Sequence, residues 1–148
     1  LKKDQTSGPT FKNFNDNQGA PMTKDTMFTK YDKDNIFARI LRKEIQCKEV
    51  LETAHTLAFH DAFPLAPVHV LIIPKKAYIT ADDFFDHATA DEILDWSRAI
   101  AQVVRIVDVM ESGYRLVTNA RKEGGQVVPH FHLHVLGKAN FDAFNPQK

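Results

Sequence analysis

At 148 residues, with 43% hydrophobic residues and 19 basic against 19 acidic side chains, the chain reads as one globular domain with no room for a second. A formal net charge of zero excludes the sequence-independent grip on nucleic acid that a basic stripe provides, so no nucleic-acid partner is expected and an anionic ligand must be held locally. Cys47 is the single cysteine and makes no internal disulfide, and no apolar run approaches the roughly 18 residues of a membrane span; a cytoplasmic protein without a membrane partner is expected.

Residues 1–32 are rich in Asn, Asp, Lys, Thr, Gly and Pro, and aromatics such as Phe11, Phe14 and Phe28 follow no sustained period. This stretch reads as a polar arm ahead of a domain over residues 33–148. No apolar stretch follows residues 1–4, so no secretory leader is read there, while Met22 and Met27 near the onset of patterning leave open that part of the arm is a processing remnant. Asp34 is the expected N-cap of a short helix carrying Ile36, Phe37, Ile40 and Leu41 at helical spacing. Residues 48–51, 56–60 and 68–73 are β-rich runs with connections too short for parallel crossovers, which predicts an antiparallel meander. Residues 80–85 suggest a turn of helix. Thr89-Ala90-Asp91-Glu92 is a capping box opening a long helix to about Met110, with Ile93, Trp96, Ile100, Val103, Val104 and Val107 forming one apolar stripe. Two further strands are expected at 114–118 and about 127–136, joined by a glycine-containing loop. The pattern predicts an α+β domain: an antiparallel sheet of about five strands with one short and one long helix packed on it.

In the last of these segments, His130, His132 and His134 alternate with Phe131, Leu133 and Val135. A strand sends alternate side chains to opposite faces, so three imidazoles are expected on one face and three apolar groups against the long helix. Three readings of the cluster compete. Histidines on an exposed strand face are most often inert. His-X-His can also supply nitrogen ligands to zinc, with one position left for water. Finally, an imidazole of unperturbed pKa about 6.5 is substantially neutral at pH 7 and can attack phosphorus without a strong base.

The segment from His130 to Leu136 matches the His-x-His-x-His-x-x signature, x being apolar, and so resembles the histidine triad superfamily. Further stretches resemble its Hint branch, the histidine triad nucleotide-binding proteins: Asn35-Ile36-Phe37, Arg42-Lys43-Glu44-Ile45, Ala58-Phe59-His60-Asp61, Ala66-Pro67-Val68-His69, Ile73-Pro74-Lys75-Lys76, Gly113-Tyr114-Arg115 and Gly124-Gly125-Gln126. The resemblance implies a homodimer with a continuous sheet that binds purine nucleoside monophosphates and hydrolyses purine nucleoside phosphoramidates, without cofactor or metal. It implies that His132 attacks the α-phosphorus to form a covalent nucleotidyl-histidine, while His130, His134 and His69 order the site and donate to phosphate oxygens. Asp61 corresponds to a carboxylate that accepts from ribose hydroxyls, and Asn119 to an amide at the phosphate. Ile36, Phe37, Ile40, Phe59 and Leu71 correspond to groups enclosing the base, and Gln126 and Val127 to further nucleotide-binding positions, the latter near the phosphate or leaving group. By composition alone the apolar five would be core, and Asp61 and Asn119 turn residues.

The chain departs from the pattern at Val127, where many relatives carry a hydroxyl, and at Ala77, where many carry histidine. These departures keep open a nucleotide-binding regulator with weak catalysis; a zinc-binding protein is the weakest rival, and a dinucleoside polyphosphate hydrolase using the same histidines is the nearby enzymatic one. Gly137, where the polyphosphate hydrolase branch usually has proline, argues against that enzyme.

Overall fold

The structure is a computed structural model and describes residues 24–142, so residues 1–23 of the expected arm and 143–148 of the expected domain lie outside the described residues. Lys24–Phe28 forms a 3₁₀ turn, with Phe28 buried. The first helix, α1 (Ile36–Leu41), is capped by Asn35 and not by the expected Asp34: Oδ1 of Asn35 accepts the Ala38 N–H at 2.9 Å. Asp34 is used one step earlier, donating its backbone N–H to Oδ1 of Asp32 at 2.8 Å, while the Asn35 N–H and Nδ2 both bond the Asp32 carbonyl and set Asn35 at the cap.

Three strands follow, β1 (Glu49–Glu52), β2 (Thr56–His60) and β3 (Val68–Pro74), paired as an antiparallel meander. The chain then crosses the sheet through α2 (Ala81–His87) and α3 (Ala90–Ile106) and returns as β4 (Tyr114–Val117) and β5 (Leu133–Gly137). Sheet order is β1-β2-β3-β5-β4, every pair antiparallel, so the last strand slides between β3 and β4 and departs from a simple meander. The result is the expected α+β fold, with α2 a second short helix capped by Thr80.

The Thr89–Glu92 capping box opens α3, and Glu92 is itself buried, accepting from Tyr78 Oη at 2.9 Å and Lys76 Nζ at 3.2 Å. The helix stops short of Met110 because Asp108 takes a left-handed φ of 56°. Its N–H reaches the Arg105 carbonyl at 3.1 Å, and the Val109 N–H reaches the Val104 carbonyl at 3.0 Å, the paired hydrogen bonds of a Schellman end. Val109 is fully buried and locks this end against β5: a Cβ on Gly137 would lie 2.5 Å from Val109 Cγ1, so the strand passes close only because position 137 is glycine.

Strand alternation splits the core in two. Ala58, Val70, Ile72 and Val135 face α3, meeting Trp96, Val103 and Val104 together with Phe84 and Phe131. The opposite face carries Leu57, Phe59, Leu71 and Ile73, which bury Phe37 and Ile40 of α1. His69 and His134 belong to this second face by the same alternation, so α1 and the histidines share one side of the sheet.

The strand expected over residues 127–136 begins only at Leu133. Continuing the β3–β5 register would set Phe131 opposite Pro74, which has no N–H to donate. The Phe131 N–H instead bonds the Tyr78 carbonyl at 2.7 Å, and the His132 carbonyl accepts from Thr118 Oγ1 at 2.8 Å. His132 thus lies on the approach to β5 and His130 in the bend before it, neither within its ladder.

Candidate active site

Gln126 fixes the loop from which the histidines emerge. Its Nε2 donates to the Ile79 and Val128 carbonyls at 2.7 and 3.0 Å, and its Oε1 accepts from the Arg121 N–H at 2.9 Å. That buried amide is fully engaged by backbone and acts as a latch. Phe131 then anchors the segment from the other face, 2% exposed and stacked within 4.8 Å of Trp96 and 5.1 Å of Phe84 between ring centroids. With Phe131 held inward, the flanking imidazoles must turn away from α3.

The three histidines do not share equal exposure, as a regular strand would give. His130 is fully buried; its Nε2 lies 2.9 Å from the Pro74 carbonyl and its Nδ1 2.6 Å from Tyr31 Oη. Burial pushes its pKa down to about 4, only partly opposed by the Pro74 carbonyl. His132 follows, with Nδ1 2.7 Å from the carbonyl of His130 and its ring edge-on to Phe37 at 5.0 Å. A carbonyl only accepts, so Nδ1 carries the hydrogen and Nε2 the lone pair. Among the described residues Nε2 has no protein partner, and no buried side-chain nitrogen or oxygen goes unpartnered; Nε2 therefore reaches solvent. Burial lowers the His132 pKa, keeping the ring neutral and nucleophilic near pH 7.

His134 stands beside it, ring centroids 5.1 Å apart, and His69 pairs with His134 across β3 and β5, Nε2 to Nδ1 at 2.9 Å. The Leu65 N–H donates to Nδ1 of His69 at 3.0 Å, which makes Nε2 of that neutral ring the hydrogen bearer. His69 then donates to Nδ1 of His134, and Nε2 of His134 is left carrying a hydrogen for a ligand. Burial lowers both pKa values, that of His134 to about 4. Asp61 closes the group: Oδ1 accepts the Phe63 N–H at 2.8 Å in a local turn, and Oδ2 lies 3.4 Å from Nε2 of His69.

Asp61, His69 and His134 bring three ligand-type atoms within 4.8 Å of one another, the spacing of a metal site. The donor chemistry does not fit one. A cation at Nε2 of His69 would require the hydrogen to move to Nδ1, where the Leu65 N–H already points, so two donors would collide.

Phe37, Ile40, Phe59 and Leu71 form one buried apolar wall beside these rings, while Ile36 is 47% exposed at its edge. Asn119 is half-buried two residues beyond β4, next to the Thr118 hydroxyl that ties down His132. Val127 is 81% exposed and its side chain offers no donor. Lys75 and Lys76 are held away from the site by Glu52 and Glu92. Sequence reasoning missed Tyr31, Thr118, the Leu65 amide and the Pro74 carbonyl. Two of these are backbone groups without a sequence signature, and Tyr31 sits in a stretch with no periodicity.

Buried imidazoles, one presenting a lone pair and its neighbour a hydrogen, lie beside an apolar wall on the open antiparallel sheet of an α+β domain. A HIT domain matches residues 42–141, and the chain belongs to the HIT family. It is 53% identical over 106 residues to an uncharacterised 13.2 kDa HIT-like protein of Azospirillum brasilense, covering 72% of this chain and 87% of that one. Among solved structures it resembles a HIT family hydrolase from Legionella pneumophila, with TM-score 0.64, 36% identity and coverage of 72% of this chain and 95% of that one. It also resembles a histidine triad nucleotide-binding protein from Candida albicans, with TM-score 0.62, 26% identity and coverage of 77% and 87%.

Proposed function

We propose that this chain is a phosphoramidase of the Hint type, hydrolysing the P–N bond of purine nucleoside phosphoramidates such as adenosine 5′-phosphoramidates. Nε2 of His132 attacks the α-phosphorus, the P–N bond breaks, and the nitrogen leaves as an amine after taking up a proton. Water then attacks the same phosphorus, the His132–phosphorus bond breaks, and a nucleoside monophosphate departs. The single observation carrying this reading is the 2.7 Å contact from Nδ1 of His132 to the His130 carbonyl, which selects the nucleophilic tautomer and accommodates the charge that develops on the ring.

The hydrogen on Nε2 of His134 is the matching donor for phosphate oxygens as charge spreads over them. The Phe37, Ile40, Phe59 and Leu71 wall, with Ile36 at its rim, suits a purine; Asp61 suits the ribose hydroxyls and Asn119 the phosphate. Gln126 contributes by holding the loop. Catalysis needs no metal, because the His69 tautomer opposes one. The working unit is a cytoplasmic homodimer joined along β4, the sheet edge where Tyr114 and Leu116 lie 43% and 42% exposed and backbone pairing is open on one side.

The test is turnover of a fluorogenic adenosine phosphoramidate with and without chelator, set against a diadenosine polyphosphate. Chelator-independent release from the first, at a kcat/KM well above that for the second, is expected. Preference for the polyphosphate, or loss of activity on chelation, would overturn the reading.

A further inference from the structure

We infer that Tyr31 is a positioning residue for this reaction: its hydroxyl holds the His130 ring in one tautomer and so keeps the His130 carbonyl against the nucleophile. The inference rests on the phosphoramidase reading, but Tyr31 lies ahead of the matched HIT domain and in the stretch that reads as an arm.

Three contacts form a chain. Nε2 of His130 lies 2.9 Å from the Pro74 carbonyl, an obligate acceptor, so the single hydrogen of the neutral ring is there. Nδ1 must then accept, and Tyr31 Oη at 2.6 Å is its donor. The His130 carbonyl in turn accepts from Nδ1 of His132 at 2.7 Å. Both ring nitrogens of His130 are thus pinned from opposite sides, and the residue whose backbone orients the nucleophile has one orientation open to it. The ring is fully buried, so water cannot replace the tyrosine hydroxyl without the packing opening.

The segment is built to place that hydroxyl. Arg42 Nη1 binds the Lys33 carbonyl at 2.8 Å, Asn35 Nδ2 binds the Asp32 carbonyl at 2.7 Å, and the Asn35 N–H reaches the same carbonyl at 3.3 Å. These tie residues 32–35 to α1. The Tyr31 ring stands edge-on to His130, centroids 5.6 Å apart, and Phe37 stands edge-on to both His130 and His132, at 6.3 and 5.0 Å. Burial raises the Tyr31 pKa, so its hydroxyl remains a donor throughout the neutral range.

Tyr31→Phe keeps the ring and removes only the donor. In single-turnover experiments with an adenosine phosphoramidate, the rate of adduct formation on His132 should fall about tenfold, the size expected for losing one buried hydrogen bond. The dissociation constant for AMP should stay within about twofold, because the hydroxyl orients a catalytic group and not the nucleotide. Imidazole ¹⁵N spectra supply a readout independent of activity. The wild-type protein should show His130 protonated at Nε2 with Nδ1 accepting, and the variant a mixture of tautomers.

An unchanged adduct rate in the variant, or wild-type His130 protonated at Nδ1, overturns the inference. The second outcome needs no folded variant. A wild-type protein that forms no adduct at all fails the phosphoramidase reading and with it a catalytic role for Tyr31, whereas normal wild-type adduct formation with an indifferent Tyr31→Phe fails this inference alone.

Discussion

Nε2 of His69 lies 2.9 Å from Nδ1 of His134, and the other nitrogen of His69 is filled by the Leu65 N–H at 3.0 Å. A backbone amide therefore sets, through two rings, which nitrogen of His134 presents a hydrogen to the ligand. His69→Ala removes the middle of that relay. Its kcat on an adenosine phosphoramidate should fall by about 10- to 100-fold, as for other groups that orient a working ring, with KM little changed. A rise in KM with kcat intact would assign His69 to ground-state binding.

Activity should persist into mildly acidic solution. The attacking form of His132 is neutral, and burial lowers its pKa below the ordinary imidazole value of about 6.5. Falling pH protonates the ring and removes the nucleophile, so log kcat/KM should decline on the acid side with a midpoint below about 6.5. A midpoint above that value would mean that the free ring is stabilised as its cation.

Folding stability should track the buried His130 over the same range. Its folded pKa is about 4, below the unfolded value near 6.5, so the unfolded chain takes up the proton first as pH falls. The stability held by the neutral ring is fully present above about pH 6.5 and lost toward pH 4, with a slope of up to about 1.4 kcal/mol per pH unit. Urea denaturation at intervals from pH 7 to 4.5 measures it. His130→Asn, which does not titrate, should lose less stability across that interval. Equal losses in the two proteins would place the pH dependence elsewhere.

Val127 is 81% exposed on the loop leading into the histidines, so Val127→Ser should leave the melting temperature within a degree or two of the parent. By adding a hydroxyl to that loop, it should raise kcat/KM for an aminoacyl-type phosphoramidate under the proposed reaction. An unchanged or lower value would remove a substrate contact from that position.

Much of the fold was legible because local chemistry and burial agreed. Thr89 and Glu92 make the capping box that their spacing announces, and Trp96, Val103 and Val104 bury the stripe that follows. Strands 56–60 and 68–73 were bounded by turn residues and appear as β2 and β3, with Pro74 added to the latter. Other features depended on partners distant in sequence. The histidine segment reads as one long strand until Pro74, opposite Phe131, denies it a ladder bond; no local pattern announces that. The end of α3 uses an aspartate in a conformation that glycine or asparagine usually signals. Asp34 and Asn35 are equally good caps on paper, and only the structure separates them. Alternation correctly sent Phe131 and Val135 to the α3 side, but it could not tell that His130 would be sealed beneath Tyr31 while His132 kept an accessible nitrogen.

The central claim, nucleophilic attack by Nε2 of His132, is tested most directly by trapping the intermediate. The protein is mixed with an adenosine phosphoramidate, quenched in alkali to preserve a phosphorus–imidazole bond, and measured by intact mass and peptide mapping. One adenylyl group per chain on the peptide bearing His132, absent from His132→Ala, is the predicted result. Turnover by the wild-type protein with no adduct, or an adduct that persists in His132→Ala, would contradict it.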